Sequence, residues 1–272
     1  TTTTAAAGPV MSHLEFVAQV LCPRMDVQMV SVTDQWAQYA IAGPKSRDLL
    51  NGLLDAPIDN DSFPYMACGP VTLGGVSARL FRISFSGEHA YEIAVPARYG
   101  DSLVRALTSK AETMGGGLYG MEALNVLRIE KGHITHAEIH GRINAFDIAM
   151  PKMISAKKDC IGKAMAARPG MVEDKRPQLV GLRPIGEVKQ LKSGSLMVEM
   201  DGQPVREEVK GYVTSACFSP TLGHPIALAF VSGGPKRAGE HIRAVDLLRK
   251  VDTLCEIVAL PFVDAEGGRL RG

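Results

Sequence analysis

Residues 80–96 read LFRISFSGEHAYEIAVP. Leu80, Arg82 and Ser84 alternate with Phe81, Ile83 and Phe85, the two-residue period of a strand. SGEH at 86–89 supplies a turn, and AYEIAVP at 90–96 runs back as an apolar strand. One residue is out of character there. Glu92 puts a carboxylate where apolar side chains are expected, and a buried carboxylate needs a partner. Two kinds of partner are open: an internal arginine such as Arg128, or a ligand with two adjacent N–H donors that the carboxylate accepts in bidentate fashion.

Helices and strands continue on both sides of this stretch. PVMSHLEFVAQVL (9–21) places Val10, Leu14, Val17 and Leu21 at helical spacing. The four threonines before it, Thr1 to Thr4, suit a strand because β-branched side chains favour extended backbone, so the chain is expected to begin inside an element. DVQMVSVTDQWAQYAIAG (26–43) predicts two short strands around a Thr33–Asp34 turn, and GPKSRDLLNGLL (43–54) a short helix. RYGDSLVRALTSKAETM (98–114) predicts an amphipathic helix stopped by Gly115, Gly116 and Gly117, and YGMEALNVLRIEKG (119–132) a second one ending at Gly132. The order is α+β. Beyond Pro169 the text turns to short β-rich runs broken by Gly and Pro, from PQLVGLRP to EIVALPFVD, which predicts an all-β barrel or sandwich. The charged stretch RPGMVEDKRPQ (168–178) marks the boundary, giving domains 1–169 and 170–272.

A chain of 272 residues, 46% hydrophobic and 22% charged, has the composition of a folded protein and room for two cores. A net charge of +1 gives no electrostatic case for nucleic acid or an anionic membrane as partner. No apolar run approaches the roughly 20 residues that cross a bilayer. No basic and apolar leader opens the sequence either. The five cysteines are scattered without a CxxC, which reads as reduced thiols in a cytoplasmic setting.

Three strings invite a chemical reading. GGGLYG (115–120) follows a helix, whereas a dinucleotide fingerprint follows a strand, so it reads as a helix stop. HITHAEIH (133–140) spaces His133, His136 and His140 at i, i+3 and i+7, one face of a helix and a conceivable zinc set. Gly132 ends the preceding helix, however, and Ile134, Thr135 and Ile139 favour extension, which separates His133 from the other two. A loop with one or two histidines facing a ligand is the preferred reading, with no metal. GYVTSACFSPTLGHPIALAFV (211–231) offers Ser215 and Ser219, but neither lies in a GxSxG elbow, and a hairpin turning at Pro220–Gly223 reads better.

SGEHAYEIAVP, EALNVLRIEKGH, GYVTSACFSPTLGHPIALAFV and PFVDAEGGRLR, in this order and spacing, resemble the folate-binding aminomethyltransferase family, whose best-known member is the T-protein of glycine cleavage. EKGH, KKDCIGK, RPQLVGLRP and SPTLGHPIAL resemble the carboxy-terminal half of the α subunits of heterotetrameric sarcosine oxidases within it. The resemblance spans essentially the whole chain.

It implies tetrahydrofolate in a channel, with Glu92 holding the pterin's N–H and amino edge. Phe85 falls where many relatives carry a tyrosine against the folate, so only an apolar contact remains there. His133 follows RIEKG on a channel-lining segment, and Thr3 and Thr4 fall near a strand that approaches folate. The family's catalytic aspartate would lie upstream of Thr1, so no catalytic residue is assigned. FAD, FMN and NAD, and the other oxidase subunits with the amino-terminal part of the α subunit, are expected only of a full assembly. A non-catalytic folate-fold module, or another folate-dependent methyltransferase, is the alternative.

Overall fold

The computed structural model describes residues 2–188 and 190–272. Its contacts divide into two compact units, one running to Ser84 and including Ala90–Leu118, the other made of Phe85–His89 and Tyr119–Gly272.

In the first unit, Thr4–Ala6 form a 3-10 turn that leads into helix α1, Ala7–Phe16, prolonged by a wider turn over Val17–Leu21. The expected threonine strand is therefore absent from Thr2 to Thr4, and Thr1 lies outside the described residues. Ala5, Ala6 and Ala7 follow at once, and their helix propensity outweighs the β preference of the threonines. The strand expected within 26–32 does not form either. Among the described residues β1 (Trp36–Ala42) pairs only with β4, and an extended segment without a partner is not a strand.

Helix α2 (Ser46–Asn51) and strands β2 (Cys68–Leu73), β3 (Val76–Phe81) and β4 (Ala90–Pro96) follow, then helix α3 (Gly100–Thr113). The antiparallel sheet runs β1-β4-β3-β2. Leu80, Tyr91, Ile93 and Val95 leave one sheet face to pack with Leu50 of α2 and with Leu103 and Leu107 of α3, one helical turn apart. The alternation beginning at Leu80 stops at Phe81. Arg82 turns inward instead: it is 1% exposed, its N–H donates to Ala67 O and its Nη1 to Phe63 O at 2.9 Å each. Residues 82–89 are irregular as a result.

The second unit contains helix α4 (Met121–Glu130), the one-turn helix α5 (Lys163–Ala166), strands β5 (Pro177–Pro184), β6 (Leu196–Val198), β7 (Val209–Ser219), β8 (His224–Ser232), β9 (His241–Asp246) and β10 (Val251–Val258), and a last turn, α6 (Gly268–Arg271). The six strands close into a barrel in the order β10-β5-β8-β7-β6-β9. β8 is apolar without alternation because both its faces are buried. Ala227, Ala229 and Val231 point into the barrel, while Ile226, Leu228 and Phe230 pack outside against Ile129, Ile134, Ile143 and Ile148. Gly211 on β7 lies so close to β8 that a Cβ there would be 1.8 Å from Phe230 O. The sequence divides by character at 169/170, whereas residues 119–169 share a compact unit with the barrel.

Candidate functional site

Glu92 lies on β4 between β1 and β3, directly opposite Ala40 on one side and Phe81 on the other. Its neighbours Tyr91 and Ile93 point into the core, so Glu92 projects from the opposite sheet face and is half-buried. The Gln38 amide donates through Nε2 to Glu92 Oε2. Farther along the same face the Arg79 guanidinium sits 4.2 Å from the centre of the Trp36 ring. The arginine expected for Glu92 is engaged elsewhere: Arg128 pairs with Glu138 at 3.2 Å. A carboxylate on an open sheet face does not need an internal cation, because water reaches it.

In the barrel unit, α4 and the residues after it build a buried polar frame. Arg128 and Glu138 are 4% and 0% exposed. Arg128 donates from Nε to Asn125 Oδ1 (2.9 Å), from Nη1 to His133 O (3.2 Å) and from Nη2 to Ser215 Oγ (2.7 Å), while Ser215 Oγ donates to Glu138 Oε1 (2.6 Å). Glu138 also accepts from Thr135 N (2.8 Å) and Thr135 Oγ1 (3.1 Å). Burial pushes its carboxyl pKa up, but hydrogen bonds from Ser215, Thr214 and Thr135, with the Arg128 charge, hold it below the usual range. These bonds curl residues 133–140 into turns. The extension expected from Ile134, Thr135 and Ile139 loses to this side-chain capture of the backbone.

His133 Nδ1 lies 3.0 Å from Phe85 O, and a carbonyl only accepts, so Nδ1 carries the proton and Nε2 of the neutral ring is an acceptor. The two rings are stacked, 6.0 Å between centres and 24° apart. Burial and the Lys131 charge pull the imidazole pKa below its ordinary value against the Phe85 hydrogen bond, leaving it neutral at pH 7. His136 is exposed, and His140 Nε2 meets Tyr212 OH at 2.7 Å. The three histidines thus have three different surroundings. Among the described residues no three His, Cys, Asp or Glu side chains come together as a metal site.

The bend carrying Phe85 is braced. Lys131 Nζ pairs with Asp264 Oδ2 at 2.7 Å, Arg269 with Glu88 at 3.4 Å, and Asp264 also accepts Arg269 N at 3.1 Å. Gly87, at φ +82°, fits because a Cβ would fall 2.7 Å from the Lys131 side chain. Glu130 accepts Ser219 Oγ (2.5 Å) and Thr221 Oγ1 (2.9 Å), tying α4 to the β7–β8 hairpin. Ser215 and Ser219 are therefore buried structural donors. Burial pushes the Cys217 thiol up to about 11 and the Cys255 thiol up to about 12, so neither is an activated nucleophile. Thr3 and Thr4 are exposed at the turn before α1. Glu92 belongs to one unit, Phe85 and His133 to the other, and the latter two are in contact.

The model of the GCVT N-terminal domain matches residues 1–158, and that of the glycine cleavage T-protein C-terminal barrel domain matches residues 178–264. The chain belongs to the glycine cleavage T-protein family. Among its relatives, the sarcosine oxidase subunit alpha of Rhizobium meliloti is 47% identical across all of this chain, over 28% of that protein's length. The aminomethyltransferase of Streptomyces coelicolor is 31% identical across 92% of this chain and 67% of its own. The crystal structure of the glycine cleavage system aminomethyltransferase T from Bartonella henselae has a TM-score of 0.79 over 96% of this chain and 67% of that one, at 21% identity, a likeness of fold. The chain spans under a third of the length of the sarcosine oxidase subunits alpha that it matches. Among the described residues no helix is long and apolar enough to cross a membrane.

Proposed function

We propose that this chain is the tetrahydrofolate-binding part of a sarcosine oxidase α subunit, residues 1–169 supplying the folate lobe and 170–272 the barrel domain. There the carbon taken from oxidised sarcosine passes to tetrahydrofolate and leaves as 5,10-methylenetetrahydrofolate. The observation that carries the reading is Glu92: a half-buried carboxylate in an apolar strand, held by a neutral amide, with an aromatic ring opposite. Such a group suits a flat heterocycle presenting adjacent N–H donors, which is the edge of a pterin.

Tetrahydrofolate supplies the nucleophilic amine, so the protein's task is positioning and charge stabilisation. Glu92 accepts the N–H edge. Phe85 gives an apolar face, and neutral His133 offers Nε2 as an acceptor beside it. Thr3 and Thr4, exposed at the turn before α1, complete the proposed set. The cytoplasm as compartment, other oxidase subunits as partners, and FAD, FMN and NAD in the assembly belong to the same proposal. Its test is a titration with 5-formyltetrahydrofolate, comparing the chain with Glu92→Gln. The variant is expected to bind roughly a hundredfold more weakly, as for a charge-assisted bidentate contact. Equal affinity would remove Glu92 from the site, and no binding by the unaltered chain would remove folate.

A further inference from the structure

We infer that Gln38 is a positioning residue, whose amide N–H to Glu92 Oε2 fixes the plane in which the Glu92 carboxylate meets the ligand. The inference deepens the folate reading and rests on it.

Register puts Ala40 opposite Glu92 and Gln38 opposite Ala94, so Gln38 and Glu92 are diagonal neighbours on one face of the sheet. At that separation a glutamine reaches a glutamate. Gln38 Nε2 donates to Glu92 Oε2, and neither Glu92 Oε1 nor Gln38 Oε1 has a hydrogen-bond partner among the described residues. Other groups on this face do not compete. Phe81, across β3 from Glu92, has no polar atom, and Arg79, the charged residue next along β3, is turned over Trp36 at 4.2 Å.

The consequence is geometric. The last torsion of a glutamate is broad and nearly two-fold, so an untethered carboxylate samples many planes. A donor held near the carboxylate plane selects one of them. Two parallel N–H bonds to a flat ring require the ring to share that plane, so tethering Oε2 removes an ordering cost from binding. The ligand class that such a fixed carboxylate suits is a flat heterocycle with adjacent N–H donors along one edge.

The test is a double-mutant cycle on the full chain, using 5-formyltetrahydrofolate and the single and double variants of Gln38→Met and Glu92→Gln. Methionine keeps the length of glutamine and removes the donor. Gln38→Met should weaken binding roughly tenfold alone and add nothing on the Glu92→Gln background, because its effect passes through the carboxylate. Equal losses on both backgrounds, or no loss alone, would overturn the positioning role. Matching urea midpoints across the four proteins guard against a folding defect. A readout without ligand is the Gln38 side-chain amide proton, expected downfield and moving upfield in Glu92→Gln. An unmoved resonance removes the hydrogen bond and the inference with it. A resonance that moves while no form binds would sink the folate reading and leave Glu92 positioned by Gln38.

Discussion

His133 shows how much a single proton matters. Its Nδ1–H is committed to Phe85 O and its pKa is depressed below the ordinary 6.5, so the folded chain binds a proton there less readily than the unfolded one. Stability from this group is therefore fully present above pH 6.5 and is lost as the pH falls through the lower folded pKa. Urea midpoints should fall between pH 7 and pH 5 in the unaltered chain, and fall less in His133→Gln. Equal slopes would mean that the imidazole is not held neutral. The sequence went part of the way at this scale. Glu92 stood out as a carboxylate in an apolar strand, but Gln38 did not, because cross-strand register cannot be read from one sequence. Arg128 looked free for Glu92, yet the glutamate it pairs with lies only ten residues on, inside the histidine-rich string. That string drew attention for its imidazoles, while its buried carboxylate organises the loop.

The β7–β8 hairpin is the element on which the barrel depends most visibly. Its turn at Pro220–Gly223 and its unbroken apolar run were legible, because a strand buried on both faces carries its signal in composition. The need for glycine at 211 was not, since it arises from the approach of the partner strand's carbonyl. Gly211→Ala is expected to cost about 3 kcal/mol of unfolding free energy, as backbone must shift to admit the methyl group. A denaturant midpoint equal to that of the unaltered chain would contradict the close approach. Helices α3 and α4 fell where period and glycine stops put them. The failures share one cause. Thr2–Thr4, residues 26–32 and residues 133–140 all carry β-branched side chains, and β preference is realised only where a partner strand exists. No partner strand pairs with any of the three among the described residues.

For the molecule as a whole, the segment between the two family matches is the exposed joint. Around α5 the chain is largely irregular, and Lys152, Lys157 and Lys158 are exposed just before it, at the end of the first match. Brief trypsin treatment should cut first after these lysines, read by intact-fragment mass; early cuts inside the barrel strands would contradict the exposure of this segment. The α+β order and the β-rich second part were visible in the sequence, whereas membership of 119–169 in the barrel's compact unit depends on Ile134, Ile143 and Ile148 covering the outside of β8, which no local pattern announces. The two sheets also differ in what they offer a stranger. A closed barrel has no unpaired strand backbone, so the hazard of fibre growth by strand addition falls on the open sheet. Its β2 edge is interrupted by Pro70, which has no N–H to give. The β1 edge has no such interruption, and the strand that carries Gln38 is also the one whose bare backbone must be kept from its neighbours.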